Sequence, residues 1–406
     1  MASTTVVVDL EDGAALSPDR LVARLISAVP EAKETALAAQ AEKSWPRLVA
    51  AILAHTDAIL AAEDTDEGDA VFLHLFAAIG RFTDDADFKT AAVSTTDALA
   101  GATGAPASRR MRLIVRLYNT LSNRCGAKLH SLLRLLKLAR ESKQLGRLAV
   151  FLRDIEGLPA RWGLSPEDSR LLLLEAALAT DAAQNADLAQ SLRTAYLRTF
   201  QGCEPAALVE AEPVAIKAAT AYIRTPVVSQ RSDLTSLDAV KALAGSSTPG
   251  AASLCRLLVI FGEGSVADLA AFQASDADTL ARVGVSAEDA MAVMRILTLA
   301  SAAAGASSLA LEDVAKAVDV APEDAERWVV MAIERGLIEG RIDQAAGRVL
   351  IVRATPRSFQ EADWRGLSAR LGAWRGEVEH LVAAIKGGPA GRGAGGARAA
   401  AAAGSA

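Results

Sequence analysis

The sequence predicts a mostly α-helical chain: an α-solenoid of helical hairpins, then a winged-helix subdomain, then a C-terminal heptad helix. Three observations predict it. Half of the 406 residues are hydrophobic while aromatics reach only 4%, an Ala- and Leu-rich mix that favours helices packed through small side chains. From about residue 17 to 300 the apolar residues recur at helical spacing, interrupted by Gly, Pro or Asp/Ser clusters. After Gly305 the period shortens to a helix-turn-helix and two strands, and then lengthens into a strict heptad.

The helical region opens with "SPDRLVARLISAV", where Ser17 is the expected N-cap and Pro18 the first helical residue; "LSPEDSRLLLLEAALA" repeats the device with Ser165, Pro166 and Glu167. "EDTDEGD", 63 to 69, reads as a solvated loop. Taken as a calcium loop from Asp64, it would put Gly68 at the fifth position and Leu75 at the twelfth, so the bidentate acid is missing. "GATGAPAS", 101 to 108, reads as a linker with a boundary near 105, before the basic helix "RRMRLIVRLYNTLSN". No fixed-length consensus recurs, but successive hairpins with short loops are the habit of a solenoid. "GSSTPGAAS", 245 to 253, breaks the array, and "LCRLLVIF" after it is apolar on nearly every side, which predicts a central helix.

"LEDVAKAVDVAPEDAERWVVMAIERGLIEGRIDQAAGRVLIV" reads as a short helix, a turn, and a second helix capped near Ala321 with Ala325, Val329 and Ile333 on one face. Gly336 ends that helix. "LIEGRI" and "VLIV" read as strands, joined by "DQAAG" with Gly347 free to take positive φ. In "FQEADWRGLSARLGAWRGEVEHLVAAIK", Leu367, Leu371, Trp374, Val378, Leu381 and Ile385 step by 4, 3, 4, 3, 4. That is a coiled-coil seam, narrower than a core-facing stripe, and it needs a partner helix. The expected division is an N-terminal helical region 1–105, a helical-repeat solenoid 106–199, a helical part 200–304 with a winged helix 305–355 in one domain ending at 362, a bundle helix 363–386, and a disordered Gly/Ala tail 387–406.

Charge is divided unevenly. Residues 1 to 108 hold 17 acidic and 7 basic side chains, whereas residues 109 to 153 hold 12 basic side chains against Glu141. Arg134, Lys137 and Arg140 step by three, as do Leu132, Leu135 and Leu138, so charge and apolar surface separate onto different faces. Arg109, Arg110, Arg112, Arg116, Arg134, Lys137 and Arg140 are the candidate basic contact surface, facing RNA phosphate or an acidic protein surface, including this chain's own first hundred residues. Tyr118 and Phe151 are too few aromatics for base stacking along a single strand.

Chemistry is excluded by type. Cys125, Cys203 and Cys255 lie far apart in apolar helical surroundings and read as buried thiols in a reducing cytosol. His55, His74, His130 and His380 are dispersed without metal-ligand spacing. "GEGS" at 262 and "VAIK" at 214 stand in the reverse of kinase order, with neither HRD nor DFG. No catalytic residue, metal or cofactor is assigned. The amino terminus lacks the basic and long apolar regions of a signal peptide, and the longest uncharged run is too weakly apolar for a bilayer span, so a soluble cytoplasmic protein without membrane contact is expected. The second helix of the winged helix carries Glu323, Asp324, Glu326 and Glu334 against Arg327 and Arg335, so phosphate repels it and sequence-specific DNA reading is not expected. Arg341, Arg348, Arg353 and Arg357 leave weak contact with nucleic acid open.

Four stretches carry a resemblance: "RLIVRLYNTLSN" (112 to 123), "LAAFQASDADTLARVGVSAEDAMAVMRILTLAS" (269 to 301), "ERWVVMAIERGLIEGRIDQAAGRVLIVRAT" (326 to 355) and "WRGLSARLGAWRGEVEHL" (364 to 381). With the solenoid, winged helix and heptad helix, they resemble the PCI-domain family, scaffold subunits of the proteasome lid, the signalosome and translation initiation factor 3. Within it they resemble the M-subunit family of the initiation factor. The resemblance implies a non-catalytic scaffold of a complex that binds the small ribosomal subunit during initiation, with a signalosome or lid subunit as the alternative reading and a DNA-binding regulator behind it. It implies contact with other initiation factor 3 subunits through wing strands 337 to 342 and 349 to 352, with Leu337, Ile338, Ile342, Val349 and Ile351, and through a bundle entered by the seam from Leu367 to Ile385.

Overall fold

A computed structural model describes residues 18–41, 45–62, 65–121, 125–225, 234–304, 306–355, 357 and 361–387. Ser17 and residues 388–406 of the Gly/Ala tail lie outside them. The chain divides into two compact units, Met1–Met294 and Arg295–Ala406, and residue 105 falls inside the first.

The first unit is a succession of helical hairpins: α1 (Pro18–Ala28), α2 (Lys33–Ala41), α3 (Trp45–Ala54), α4 (Thr56–Ala61), α5 (Thr65–Ile79), α6 (Asp85–Gly101), α7 (Ala107–Thr120) and α8 (Cys125–Glu141). Short helical turns between Leu145 and Trp162 lead to α9 (Pro166–Ala182), α10 (Ala186–Arg198) and α11 (Pro205–Arg224). Further short turns between Leu234 and Gly245 precede α12 (Ala251–Glu263), α13 (Val266–Ser275), α14 (Ala277–Val283) and α15 (Ala287–Ala303), whose last turns belong to the second unit. The expected mostly helical solenoid is what forms.

Local chemistry starts these helices. Ser165 accepts from Asp168 N at 3.1 Å with Pro166 in the first turn, as its spacing predicts. Ser265 and Asp268 cap α13 reciprocally, which satisfies two orphan donors at once. Packing then decides the rest: Phe72, Phe76, Phe88, Tyr196, Phe200 and Phe261 are among the largest fully buried side chains, each contributing roughly 1.5–3 kcal/mol by leaving water. Buried polar groups join successive hairpins. Thr96 Oγ1 meets Ser131 Oγ at 2.9 Å between α6 and α8, and Gln190 Nε2 donates to Ala218 O at 3.0 Å between α10 and α11.

Two local expectations change. "EDTDEGD" is helical from Thr65, because Asp66 and Glu67 sit favourably in the first turn of α5 and Gly68 lets it approach α4. A Cβ on Gly68 would lie 2.7 Å from Ile59 O. The helix "LCRLLVIF" is not enclosed: Leu254, Leu257, Leu258 and Phe261 are buried, but Arg256 and Val259 are exposed.

The second unit holds a winged helix. β1 (Ser308–Ala310) leads into α16 (Leu311–Val318), a 3-10 turn Pro322–Asp324 capped by Ala321 leads into α17 (Ala325–Glu334), and the wing is β2 (Ile338–Asp343) and β3 (Arg348–Ala354). Gly336 at φ +70° ends α17 and Gly347 at φ +59° closes the wing turn, where Asp343 Oδ1 accepts from Ala346 N at 3.1 Å. Val314, Val318, Ala325, Val329 and Ala332 form its helical core. β1 is too short and too weakly patterned to announce itself in sequence. Its presence makes the sheet antiparallel in the order β1-β3-β2. Last comes α18 (Glu361–Gly387).

Candidate assembly surface

The basic segment folds against this chain's own acids. Arg109 is buried between α4, α5 and α7, donating Nε to Asp69 Oδ1 at 2.8 Å, Nη1 to Leu60 O at 2.8 Å and Nη2 to Thr65 O at 2.9 Å. Arg112 reaches the other oxygen of Asp69 at 3.3 Å. Arg110 donates to Ala100 O, Arg134 pairs with Asp97 at 2.7 Å, and Arg140 pairs with Glu175 at 3.5 Å. Arg110, Arg116 and Lys137 are the three of the seven with no acid within ion-pair distance among the described residues. Arg109 is therefore not a surface side chain. Its burial is tolerable because each of its three nitrogens has a hydrogen-bond partner and one of them is a carboxylate. Leu132, Leu135 and Leu138 are buried on the opposite face of α8, so charge and apolar surface do separate as their spacing predicts.

The "GATGAPAS" stretch is held down as well. Asp57 accepts from Thr103 N at 2.6 Å and Gly104 N at 3.0 Å. Those backbone N–H groups, Thr103's first, stabilise the carboxylate and hold its pKa below the ordinary value. Cys255 is buried with Sγ toward Val240 O, and burial raises its thiol pKa; Cys203 is half-buried, and the side chain of Cys125 lies outside the described residues. Among the described residues no group of three His, Cys, Asp or Glu side chains is placed to hold a metal ion, and no helix is long and apolar enough to cross a membrane.

In the winged helix, Leu337, Ile338 and Val349 are buried in its own core, while Ile342 and Ile351 are half-buried. The first three therefore hold the wing to its helices and present nothing outward. The expectation that strand 349 to 352 pairs with a neighbour needs correcting: β3 is the central strand, hydrogen-bonded to β1 on one side and β2 on the other. The edge strands are β2 and the three-residue β1. Residues that strand alternation could have found instead face outward: Leu350 and Val352 are exposed on β3. Charge argues against duplex binding. Glu323, Asp324 and Glu334 are exposed on the second helix, and the wing's Arg348 and Arg353 pair with Asp343 and Glu339.

The heptad helix is the least covered element. Leu371, Trp374, Val378 and Leu381 are each more than half exposed, and Leu367 is half-buried; the side chain of Ile385 lies outside the described residues. Trp364, three residues before Leu367, continues the stepping and is exposed too, a position the spacing alone points to. Arg375 Nε meets Glu379 at 2.8 Å along the helix. Five exposed large apolar side chains on one seam of a polar helix, Trp364, Leu371, Trp374, Val378 and Leu381, are unfavourable in water, so this surface requires covering.

The sequence pattern of the PCI domain family matches residues 276–353. Over 283 residues the chain is 31% identical to the protein named "Eukaryotic translation initiation factor 3 subunit M" of Aspergillus clavatus, a match covering 68% of this chain and 59% of that relative. Relatives of the same name from Aspergillus terreus and Emericella nidulans are each 32% identical, covering 69% of this chain and 61% and 63% of theirs. The chain spans about three fifths of the length of the curated relatives it matches.

Proposed function

Because the chain carries a PCI domain and has homologues named as the M subunit of eukaryotic translation initiation factor 3, we propose that it is a non-catalytic scaffold subunit of that complex, acting in the cytoplasm. It supports assembly of the factor and its binding to the small ribosomal subunit. The observation that carries this is the exposed seam of α18, which suits a helix that joins a bundle with helices of other subunits. In this reading the PCI domain begins near residue 200, β2 is the strand that offers its edge to a neighbouring subunit, and the paired basic segment leaves RNA only weak contact through Arg116 and Lys137.

Purification of the tagged protein with its stoichiometric partners tests this. Initiation factor 3 subunits are the expected partners; proteasome-lid subunits or cullins in their place would refute the assignment. Substituting Leu371→Asp and Val378→Asp together should release the subunit from its complex while its helical circular dichroism is unchanged, because the aspartates would be buried without partners. Assembly at parental levels would mean that the seam is not the contact.

A further inference from the structure

The break in the helical array at "GSSTPG", 245 to 250, just before α12, sets a hydroxyl between opposite charges. Ser247, Thr248 and Pro249 are exposed. Side chains and one turn hold this loop. Ser246 Oγ donates to Glu212 Oε1 on α11 and accepts from Thr248 N at 2.9 Å, and Ala251 N donates to Thr248 O at 3.1 Å across Pro249 and Gly250. The hydroxyls of Ser246 and then Thr248 stabilise the Glu212 carboxylate and hold its pKa below the ordinary value. On the other side the exposed Arg282 of α14 lays its guanidinium over Gly250, where a Cβ would collide with Nη1. Thr248 thus stands beside an anion that accepts from it, with a cation two residues on.

Five hydroxyl residues precede a proline: Ser17, Ser165, Thr225, Thr248 and Thr355. Proline-directed protein kinases take such pairs, because proline brings no backbone N–H into the acceptor site. The hydroxyl must also be free to leave its own fold. Of the four described, Ser165 caps α9, Thr225 donates back to Ala221 O at the end of α11, and Thr355 is half-buried with its N–H on Leu337 O. Thr248 lies exposed in a loop between helices.

We propose that Thr248 is a phosphorylation site for a proline-directed protein kinase, and that the phosphate moves the tether of this loop from Glu212 to Arg282. Thr248 Oγ1 forms a bond to the γ-phosphorus of ATP as the bond from that phosphorus to the β,γ-bridging oxygen breaks. ADP leaves with the electron pair, and the hydroxyl proton passes to the catalytic carboxylate of the kinase. The product carries about −1.5 to −2 charge at pH 7 where a neutral donor stood. Glu212 then loses a hydrogen bond and gains a like charge, whereas the planar fork of Arg282 suits phosphate oxygens. The site is independent of the scaffold reading.

The test incubates the full-length protein with Mg-ATP and, separately, a mitogen-activated and a cyclin-dependent kinase. Tandem mass spectrometry should place phosphate on Thr248 in preference to Ser165, Thr225 and Thr355. Thr248→Ala should lose that phosphate with an unchanged circular dichroism spectrum, and Thr248→Ser should keep it. Phosphorus NMR then reads the surroundings. Arg282→Ala should raise the second pKa of the phosphothreonine by about half a unit, the size of a surface ion pair, whereas Glu212→Gln should not raise it. Phosphate on the other pairs with Thr248 unmodified, or none from either kinase, would overturn the site. A phosphate pKa that Arg282→Ala leaves in place would overturn the transfer to Arg282. Neither result bears on which complex the chain joins, which the purification of partners decides separately.

Discussion

Arg109→Ala should destabilise the first unit strongly although it opens the most basic stretch of the chain. The guanidinium is 8% exposed and makes three hydrogen bonds of 2.8 to 2.9 Å, one to Asp69, itself 14% exposed, and two to the carbonyls of Leu60 and Thr65. Removing one partner of a buried ion pair costs roughly 3–5 kcal/mol, because the other charge stays behind uncompensated. Arg112 keeps a contact with Asp69 at 3.3 Å, so the lower end, about 3 kcal/mol, applies. With a urea slope of about 3 kcal/mol per molar, the unfolding midpoint followed by far-ultraviolet circular dichroism should fall by about 1 M with the slope unchanged. Arg112→Ala is the control. Its side chain is 57% exposed, and a surface pair is worth about 0–1 kcal/mol. If the two alanine variants lose similar stability, Arg109 is not the tie between α4, α5 and α7 that its geometry indicates.

Other consequences follow from single positions. Because Thr103 and Gly104 hold the pKa of Asp57 below its usual value, the stabilisation is present above about pH 4 and is lost as pH falls through the lowered value; Asp57→Asn should flatten the acid limb of the stability curve, and parallel limbs would contradict this. A Cβ on Gly340 would sit 2.5 Å from Leu350 O at the bulge of β2, so Gly340→Ala should cost the winged helix about 1–3 kcal/mol, read as a lower thermal midpoint. Gly372→Ala meets nothing within 4 Å and should stabilise α18 by about 0.8–1 kcal/mol; a lower helical signal would contradict that. Duplex DNA should show no saturable complex at micromolar protein in a gel shift, whereas a complex that weakens steeply with salt would reopen the nucleic-acid reading.

Much of the fold was legible because it is written locally. The cap at Ser165, the stop at Gly336 and the positive φ of Gly347 depend on neighbours within a few residues, and the spacings of "GLIEGRIDQAAGRVLIV" fit only a helix followed by a hairpin. Three features were not legible. The pairing of β1 with β3 depends on residues some 40 positions apart, and three residues carry no periodic signal. The helical start of α5 inside an acidic run follows from its packing against α4 and Arg109. The partners of the arginines in the basic segment were open, because a cationic stripe looks the same whether it faces solvent, RNA or a neighbouring helix.

The sequence by itself thus determined the helical class, the winged helix and the seam of α18, all of which follow from periodicity and turn chemistry along the chain. Only the tertiary structure decided which charged and apolar residues remain available. Arg109 is buried by elements distant in sequence and Leu337, Ile338 and Val349 are buried within the winged helix, whereas Leu371, Trp374, Val378 and Leu381 keep their exposure. The physical reason is that burial is a property of neighbours in space: a one-dimensional pattern shows that a face is apolar or charged, and the fold determines what covers it.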